Sequence, residues 1–486
     1  MCIVHPGDFV HNEVAVDGKG VERVNTRIFE RVASYSADFL AALGKRRVSP
    51  TATVDELREA FGGPLPERGA DSETIINELI EAAEPGLMAT AGPRFFGFVI
   101  GGALPEAVAA EWLASTWDQN AGLYGAAPAA TVAEEVAGRW LLELLGLPDH
   151  CSFGFVTGGQ MANFTGLAAA RHHVLAQEGW DVQARGLQGA PALRVIASEE
   201  RHATIGRALR YLGLGTDSLR LVKTDGQSRM RLDALQTALE EGSGPTIVTA
   251  EAGNINSGAF DRFDEVCDVA HAAKAWVHVD GAVGLWAAVS PACRDLVTGL
   301  DGADSWATDA HKWLNVPYDS GLVFCAHPES HKAAMSVHAD YLVHAADERE
   351  RDPMDWNPEF SRRARGFGVY VTLRALGRSG VAEMIDRCRA HARLFAERLG
   401  AEPGIEILNE IAINQVLVRF MADNGDHDDR TRRVIKAVQE DGTCWLSGSK
   451  WKGTDVMRIS ISNWSTTTED VEVSVDAILR SAAANP

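Results

Sequence analysis

Between residues 190 and 325 the chain repeats one pattern, a short apolar or β-branched run followed by polar and helix-forming sequence. The runs fall at 193–197, 246–250, 275–279, 305–308 and 321–325, and apolar residues recur at helical spacing over 232–239 and 263–273. A strand that is apolar throughout must be covered on both faces, and helices with one apolar stripe are what covers it. Such alternation restricts the fold to an α/β architecture with a mostly parallel central sheet between helices. Ligands on sheets of this kind gather beyond the carboxyl ends of the strands. Asp280 and Asp309 both stand at such ends.

The flanks read differently. Val24, Ile28, Phe29, Val32, Phe39, Leu40 and Leu43 predict a helix over 21–42, a Pro/Gly-containing loop follows at 62–69, and a helix over 71–83 opens on Asp-Ser. These helices either pack on another surface or act as a linker. Helical runs at 106–117 and 130–145 lead into the alternating region. A long helix is expected over 366–376, then helical 381–399, strand-like 414–420, helical 429–441 and strand-like 456–462. With 486 residues the chain is too long for one ordinary domain. The expected division is a helical segment over 1–104, a large α/β domain over 105–376 and a small α+β domain over 377–486.

Charge narrows the partners. A formal net charge of -21 disfavours nucleic acid and anionic membrane surfaces, while leaving room for an anionic ligand in a locally positive pocket. The seven cysteines are scattered without a C-x-x-C pair, which favours reduced thiols in a cytoplasmic compartment over a disulfide framework and implies no metal site. The opening residues carry Asp8, Glu13 and Asp17 and no sustained apolar core, so no signal peptide is expected, and no stretch is long enough for a membrane span.

Four stretches carry chemistry. Thr308 to Gly321 reads T-D-A-H-K-W-L-N-V-P-Y-D-S-G. Lys312 sits there among Trp313, Leu314, Val316 and Pro317, where loss of hydration would favour a neutral, nucleophilic amine. Upstream, Trp276-Val277-His278-Val279-Asp280-Gly281-Ala282 ends a strand-like run on a carboxylate. An imine-forming lysine together with a strand-end Asp that can pair with a pyridinium nitrogen is what pyridoxal phosphate asks of a protein. Phe155 to Asn163 passes from strand to helix through Gly158-Gly159-Gln160, and a helix opening on glycines turns free N–H groups toward an anion. His202, after the run at 193–197, could lay its ring on a planar cofactor or simply cap a helix. Asn256, in the turn E-A-G-N-I-N-S-G, could bond a phenolic oxygen or a carboxylate or merely shape the turn.

Taken together, Asp280-Gly281-Ala282, Asp309-Ala310-His311-Lys312-Trp313, His202, the Gly158-Gly159 turn and Met457-Arg458-Ile459-Ser460 resemble the group II pyridoxal-phosphate decarboxylases. That family includes the aromatic amino acid, histidine and glutamate decarboxylases. The resemblance runs from about Val21 to Ile478 and takes in Pro128-Ala129-Ala130-Thr131 and Arg365. It implies fold type I, a homodimer with sites at the subunit interface, and decarboxylation of an L-amino acid. It also implies roles: Lys312 as the imine-forming lysine, Asp280 on the ring nitrogen, Ala282 and His202 on opposite ring faces, and Gly158, Gly159 and Gln160 around the phosphate. His311 and Asp309 would assist there, and Asn256 stands where the family often has Thr.

The sequence departs from the family in one place. Relatives carry a tyrosine on a mobile loop, and the matching position here is Pro353; between His344 and Trp356 there is no tyrosine. In relatives its loss accompanies oxidative deamination to an aldehyde, so an aldehyde synthase or another carbon–carbon lyase is the alternative outcome. His311, Tyr341, His344 or a partner-subunit residue are the candidate proton donors. Phe98 and Trp117 are candidate pocket walls, and their bulk would favour an aromatic or large apolar substrate; the other reading is ordinary core.

Overall fold

The computed structural model describes residues 26–337 and 350–486. They form two compact units, residues 26–45 with 50–88, and residues 46–49 with 89–486.

The smaller unit contains helices α1 (Thr26–Ala42), α2 (Val54–Phe61) and α3 (Ser72–Ala83). Capping sets their starts. The Thr53 hydroxyl and the Glu56 carboxylate exchange hydrogen bonds with each other's backbone at the head of α2, and Asp71 accepts the Thr74 N–H at 3.1 Å at the head of α3. None of the three helices has a buried residue, and Phe29, Phe61, Leu65, Ile75 and Leu79 are exposed.

The larger unit is built on seven strands: β1 (Ser152–Val156), β2 (Arg194–Ser198), β3 (Leu219–Val222), β4 (Thr246–Glu251), β5 (Trp276–Asp280), β6 (Ser305–Asp309) and β7 (Gly321–Cys325). Their spatial order is β1-β7-β6-β5-β4-β2-β3, with β7 antiparallel to both of its neighbours and the remaining pairs parallel. The expected α/β class and mostly parallel sheet are present. The run at 321–325 differs from a simple alternation, because β6 and β7 are joined by a loop with no intervening helix, and that loop carries Lys312. Strands β4 to β7 are buried along their whole length, which is why they are rich in apolar and β-branched residues, although β5 carries His278 and β6 carries Ser305 and Thr308.

Helices α4 (Pro105–Trp117), α5 (Pro128–Leu145) and α6 (Gly159–Gln177) follow the smaller unit; α6 leaves β1 and lies against β5, β6 and β7. A second, antiparallel sheet has the order β10-β11-β9-β8, from β8 (Ile405–Ile407), β9 (Gln415–Phe420), β10 (Ser447–Trp451) and β11 (Thr454–Ser460). Strands β3, β8 and β10 had no apolar run to announce them. β10 reads Ser-Gly-Ser-Lys-Trp and, like β3 and β8, lies at a sheet edge with part of its length in solvent. The helices expected over 366–376 and 381–399 are both present within Gly366–Gly400, where two helices meet at a kink at Gly377, whose φ of 61° lies in the left-handed region. Among the described residues no helix is long and apolar enough to cross a membrane. The six described cysteines are free and buried.

Candidate active site

The site assembles at the carboxyl ends of β4, β5 and β6, where Glu251, Asp280 and Asp309 terminate neighbouring strands. Asp280 is buried and accepts two hydrogen bonds, from the Ala282 N–H to Oδ1 at 3.2 Å and from Asn163 Nδ2 to Oδ2 at 3.0 Å. Asn163 lies one turn into α6, four residues past Gly159, so the helix that starts at the glycine turn also reaches the strand-end carboxylate.

The glycines are there because nothing larger fits. A Cβ on Gly159 would stand 2.7 Å from Asp309 Oδ2, one on Gly158 2.9 Å from His311 Cε1, and one on Gly321 2.4 Å from Gly158 Cα. Asp309 Oδ1 accepts the Gly159 N–H, and Oδ2 pairs with Lys312 Nζ at 2.9 Å. This corrects the expectation for Lys312. Its aliphatic stem lies in the apolar loop, but its amine is ion-paired, because Asp309 three residues earlier ends β6 on the same side. The loop itself is held by Asn315, whose Nδ2 donates to Trp313 O at 2.8 Å and Ser462 O at 3.0 Å, while Gly102 N–H donates to its Oδ1 at 2.6 Å. A Cβ on Gly101 would collide with the Lys312 carbonyl at 1.8 Å.

His311 is fixed on both nitrogens. Nδ1 accepts the Ser320 N–H at 3.1 Å, so the proton resides on Nε2, 3.3 Å from Asp309 Oδ1. Tyr318 stacks on its ring at a centroid distance of 4.3 Å. Burial lowers the His311 pKa and, with Asp309, pushes the Tyr318 phenol up to about 12.

His202 caps the helix Ala203–Tyr211: its Nδ1 accepts the Thr204 N–H at 3.3 Å and lies 2.8 Å from Thr204 Oγ1. Its own N–H donates to Glu251 Oε1 at 3.1 Å. Burial lowers the His202 pKa, opposed by Asp280 and aided by Lys312 and Arg458, whose fields all reach this ring. Burial, then Asp261 and Asp280, push Glu251 well above the usual carboxylate range.

His202, Asp280, Ala282, Asp309, His311, Lys312, Gly158, Gly159 and Gln160 therefore converge on one strand-end site. Asn256 is turned elsewhere. Its Oδ1 accepts from Ser449 on β10 at 2.6 Å, and its N–H donates to Asn254. Arg458 Nη1 reaches the adjacent Ile255 carbonyl at 3.3 Å; burial lowers its pKa to about 10, and its Nε has no partner. Arg365 pairs with Asp319 at 2.9 Å and Glu359 at 3.2 Å, tying down the far end of the lysine loop. Pro353 is buried at the start of a short 3-10 turn, Pro353–Trp356. Tyr341 and His344 lie outside the described residues. Phe98 and Trp117 are about half exposed, packed on Trp445 and Phe367 respectively, and so are not core residues of this chain.

Asn163, Thr204, Glu251, Ser320 and Tyr318 were not singled out from the sequence. Two had a usable signal: Asn163 stands one helical turn after the glycine turn, and Glu251 ends a strand in register with Asp280.

Residues 55–422 match the model of the pyridoxal-dependent decarboxylase conserved domain. The chain belongs to the pyridoxal-dependent decarboxylase family. It is 28% identical over 448 residues to an aromatic-L-amino-acid decarboxylase of Bacillus atrophaeus, covering 89% of this chain and 90% of that protein. It is 26% identical over 432 residues to a 4-hydroxyphenylacetaldehyde synthase of Rhodiola rosea, 86% of each. The Oryza sativa TDC structure with PLP and tryptamine superposes with a TM-score of 0.89 at 23% identity, covering 96% of this chain and 99% of that one. The fold is that of these pyridoxal-phosphate enzymes, fold type I, and this decarboxylase is a pyridoxal-phosphate-dependent carboxy-lyase.

The residues present fit that cofactor. An amine, a strand-end carboxylate and a glycine turn at a helix start stand together, and Gln160 Oε1 and Ser320 Oγ are buried beside them without partners.

Proposed function

We propose that this decarboxylase converts an L-amino acid, with aromatic or large apolar side chains favoured, to its amine and CO2. The observation that carries the reading is the linked set Lys312–Asp309–Gly159, opening onto the same strand ends as Asp280 and His202. In this reading Lys312 would hold the cofactor covalently and Asp280 would pair with its ring nitrogen. Ala282 and His202 would flank the ring, and Gly158, Gly159 and Gln160 would receive the phosphate. Asp309 and His311 complete the surroundings, while Asn256, which accepts from Ser449, takes no part. When bound, pyridoxal phosphate supplies the electron sink that makes loss of CO2 feasible.

The chain's own work is placement and charge. Asp280, held as an acceptor by Asn163 and Ala282, keeps a negative charge where the ring nitrogen would lie. Arg458 offers a buried guanidinium with an unpartnered Nε to the substrate carboxylate. Asp309 holds both the Lys312 amine and the Gly159 N–H, and so ties the lysine to the glycine turn. His311 has its single proton directed at Asp309, so donating a proton from it would break that contact. Incubating the enzyme with each of the twenty amino acids, and identifying CO2 and amine, tests the reading; no CO2 from any of them would sink it.

A second outcome has its own support. Pro353 occupies the position where relatives carry tyrosine, and the Rhodiola rosea relative is an aldehyde synthase. Aldehyde, ammonia and peroxide in place of amine in the same assay would favour that chemistry.

A homodimer belongs to this proposal. Among the described residues Phe29, Phe61, Ile75 and Leu79 of α1, α2 and α3 are exposed, and so are Phe98, Trp112 and Trp117. A second copy is the occupant that suits both sets. Sedimentation should give twice 52.3 kDa at micromolar concentration, and a fully active monomer would refute it. We also place the enzyme in the cytoplasm, where six buried free thiols persist. The division at 104 and 376 stands as part of the proposal, and the break at Gly377 supports its second boundary.

A further inference from the structure

We propose that Asn163 is a positioning residue that couples Asp280 to His202, and that a one-directional hydrogen-bond relay from Trp276 fixes its orientation. The proposal rests on the reading above, in which those two side chains meet the cofactor.

The argument begins from two groups whose hydrogen-bond sense is not a choice. Asp280 is a carboxylate already receiving the Ala282 N–H, so the amide 3.0 Å from its Oδ2 must present its NH2 end. The Asn163 oxygen then faces His278 Nε2 at 2.9 Å, and that nitrogen must carry the proton. His278 is fully buried, and burial holds its pKa down to about 3, so the ring is neutral and its Nδ1 is bare. Ser305 Oγ, 2.8 Å away, therefore donates to Nδ1 and accepts the Trp276 indole N–H at 2.9 Å.

The second anchor is the Thr204 backbone N–H, which can only donate, and it donates to His202 Nδ1. That nitrogen is bare. The Thr204 hydroxyl, 2.8 Å from it, gives its proton there too, leaving a lone pair for Asn163 Nδ2 at 3.3 Å. Every donor points the same way: Trp276 to Ser305, Ser305 to His278, His278 to Asn163, and from Asn163 in a fork to Asp280 and, through Thr204, to His202. Flipping the amide would set its oxygen against the carboxylate and its NH2 against an N–H. Asn163 is 1% exposed, so no water can rescue the flipped form.

The consequence is that one amide sets two states at once. Asp280 is held as an acceptor, and His202 as the neutral Nε2–H tautomer. Glu251, accepting the His202 N–H, fixes the same residue from its backbone side.

The relay can be read without cofactor or turnover. In 15N-histidine-labelled apoenzyme, assigned with His202→Gln, His202 should show a bare Nδ1 and a protonated Nε2. The opposite tautomer would overturn the relay whatever Lys312 and Asp280 do. Asn163→Asp keeps the volume and the acceptor for His278, but sets a second carboxylate beside Asp280, and the pair must share a proton. Titrated with pyridoxal phosphate, this variant should bind at least tenfold more weakly than wild type at pH 8 and recover toward pH 6. Wild-type-like binding across that range would refute the role of Asn163. Asp280→Ala separates the two ideas: unchanged cofactor affinity there would overturn the site reading on which the relay depends.

Discussion

In the proposed function Lys312 is the residue on which the chemistry turns. Lys312→Ala should keep the fold, because Asp309 retains its bond to the Gly159 N–H, and should lower CO2 release by at least about 1,000-fold. Circular dichroism and a CO2 assay check both halves, and near-normal turnover would remove Lys312 from the site. Tyr318 offers a second test. It covers one face of His311, and burial is the leading cause of that imidazole's lowered pKa. Tyr318→Ala admits water, relieves the penalty on the charged ring and should raise the His311 pKa toward its ordinary value. An NMR titration of the apoenzyme reads the shift; no change, or a further fall, would show that Tyr318 does not shield the ring.

At the scale of elements, the segment that follows the undescribed residues is bound to the sheet by charge. Glu134 on α5 lies 2.7 Å from Arg362 and 3.5 Å from Arg351, with all three side chains at least largely buried. Arg362 also donates to Phe155 O, and Arg351 lies over the Phe153 ring at 4.4 Å, so both arginines fasten the stretch after residue 350 onto β1. Glu134→Ala would strand two buried cations and should cost about 3–5 kcal/mol in a urea titration. A loss under about 1 kcal/mol would mean that the carbonyls alone satisfy the arginines. None of this was legible in the sequence, because Glu134 and Arg362 are 228 residues apart and each is an ordinary charged residue in its own neighbourhood. Asn163 and Glu251 carried a local signal, but their partners His278 and His202 lie 115 and 49 residues away. By contrast, β4, β5 and β7 could be read directly, because full burial is written there in apolar and β-branched residues, and Asp280 and Asp309 stand where β5 and β6 stop. Polar edge strands such as β10 leave neither mark.

For the whole molecule, buried ionisable groups shape the response to acid. His278 and His331 are both held by burial to a pKa of about 3. Since the unfolded chain protonates them near 6.5, each removes stability as the pH falls below that value, by about 1.4 kcal/mol per unit. Asp261, raised to about 6, and Glu251, also raised, act in the opposite sense, adding stability as the pH falls through their folded values. Between about pH 6 and 4 the two sets oppose each other. Below about 4 the acids are protonated in both states, while Asp304, held near 2 by its hydrogen bonds to His271 and His327, begins to lose its own contribution. Urea midpoints should therefore fall more gently from pH 6 to 4 than below 4, and a uniform decline from pH 6.5 would contradict this balance.

The pairing of β1 with β7 has a consequence for how the enzyme is made. Ser152 contacts Cys325 across 173 residues, and Gly321 packs directly on Gly158. A nascent chain that has left the ribosome only as far as β6 has an orphan edge at β1 and no floor beneath the glycine turn. The seat proposed for the vitamin B6 phosphate is thus closed by the last strand of its sheet to be synthesised, and on that proposal loading belongs to the end of translation rather than guiding it.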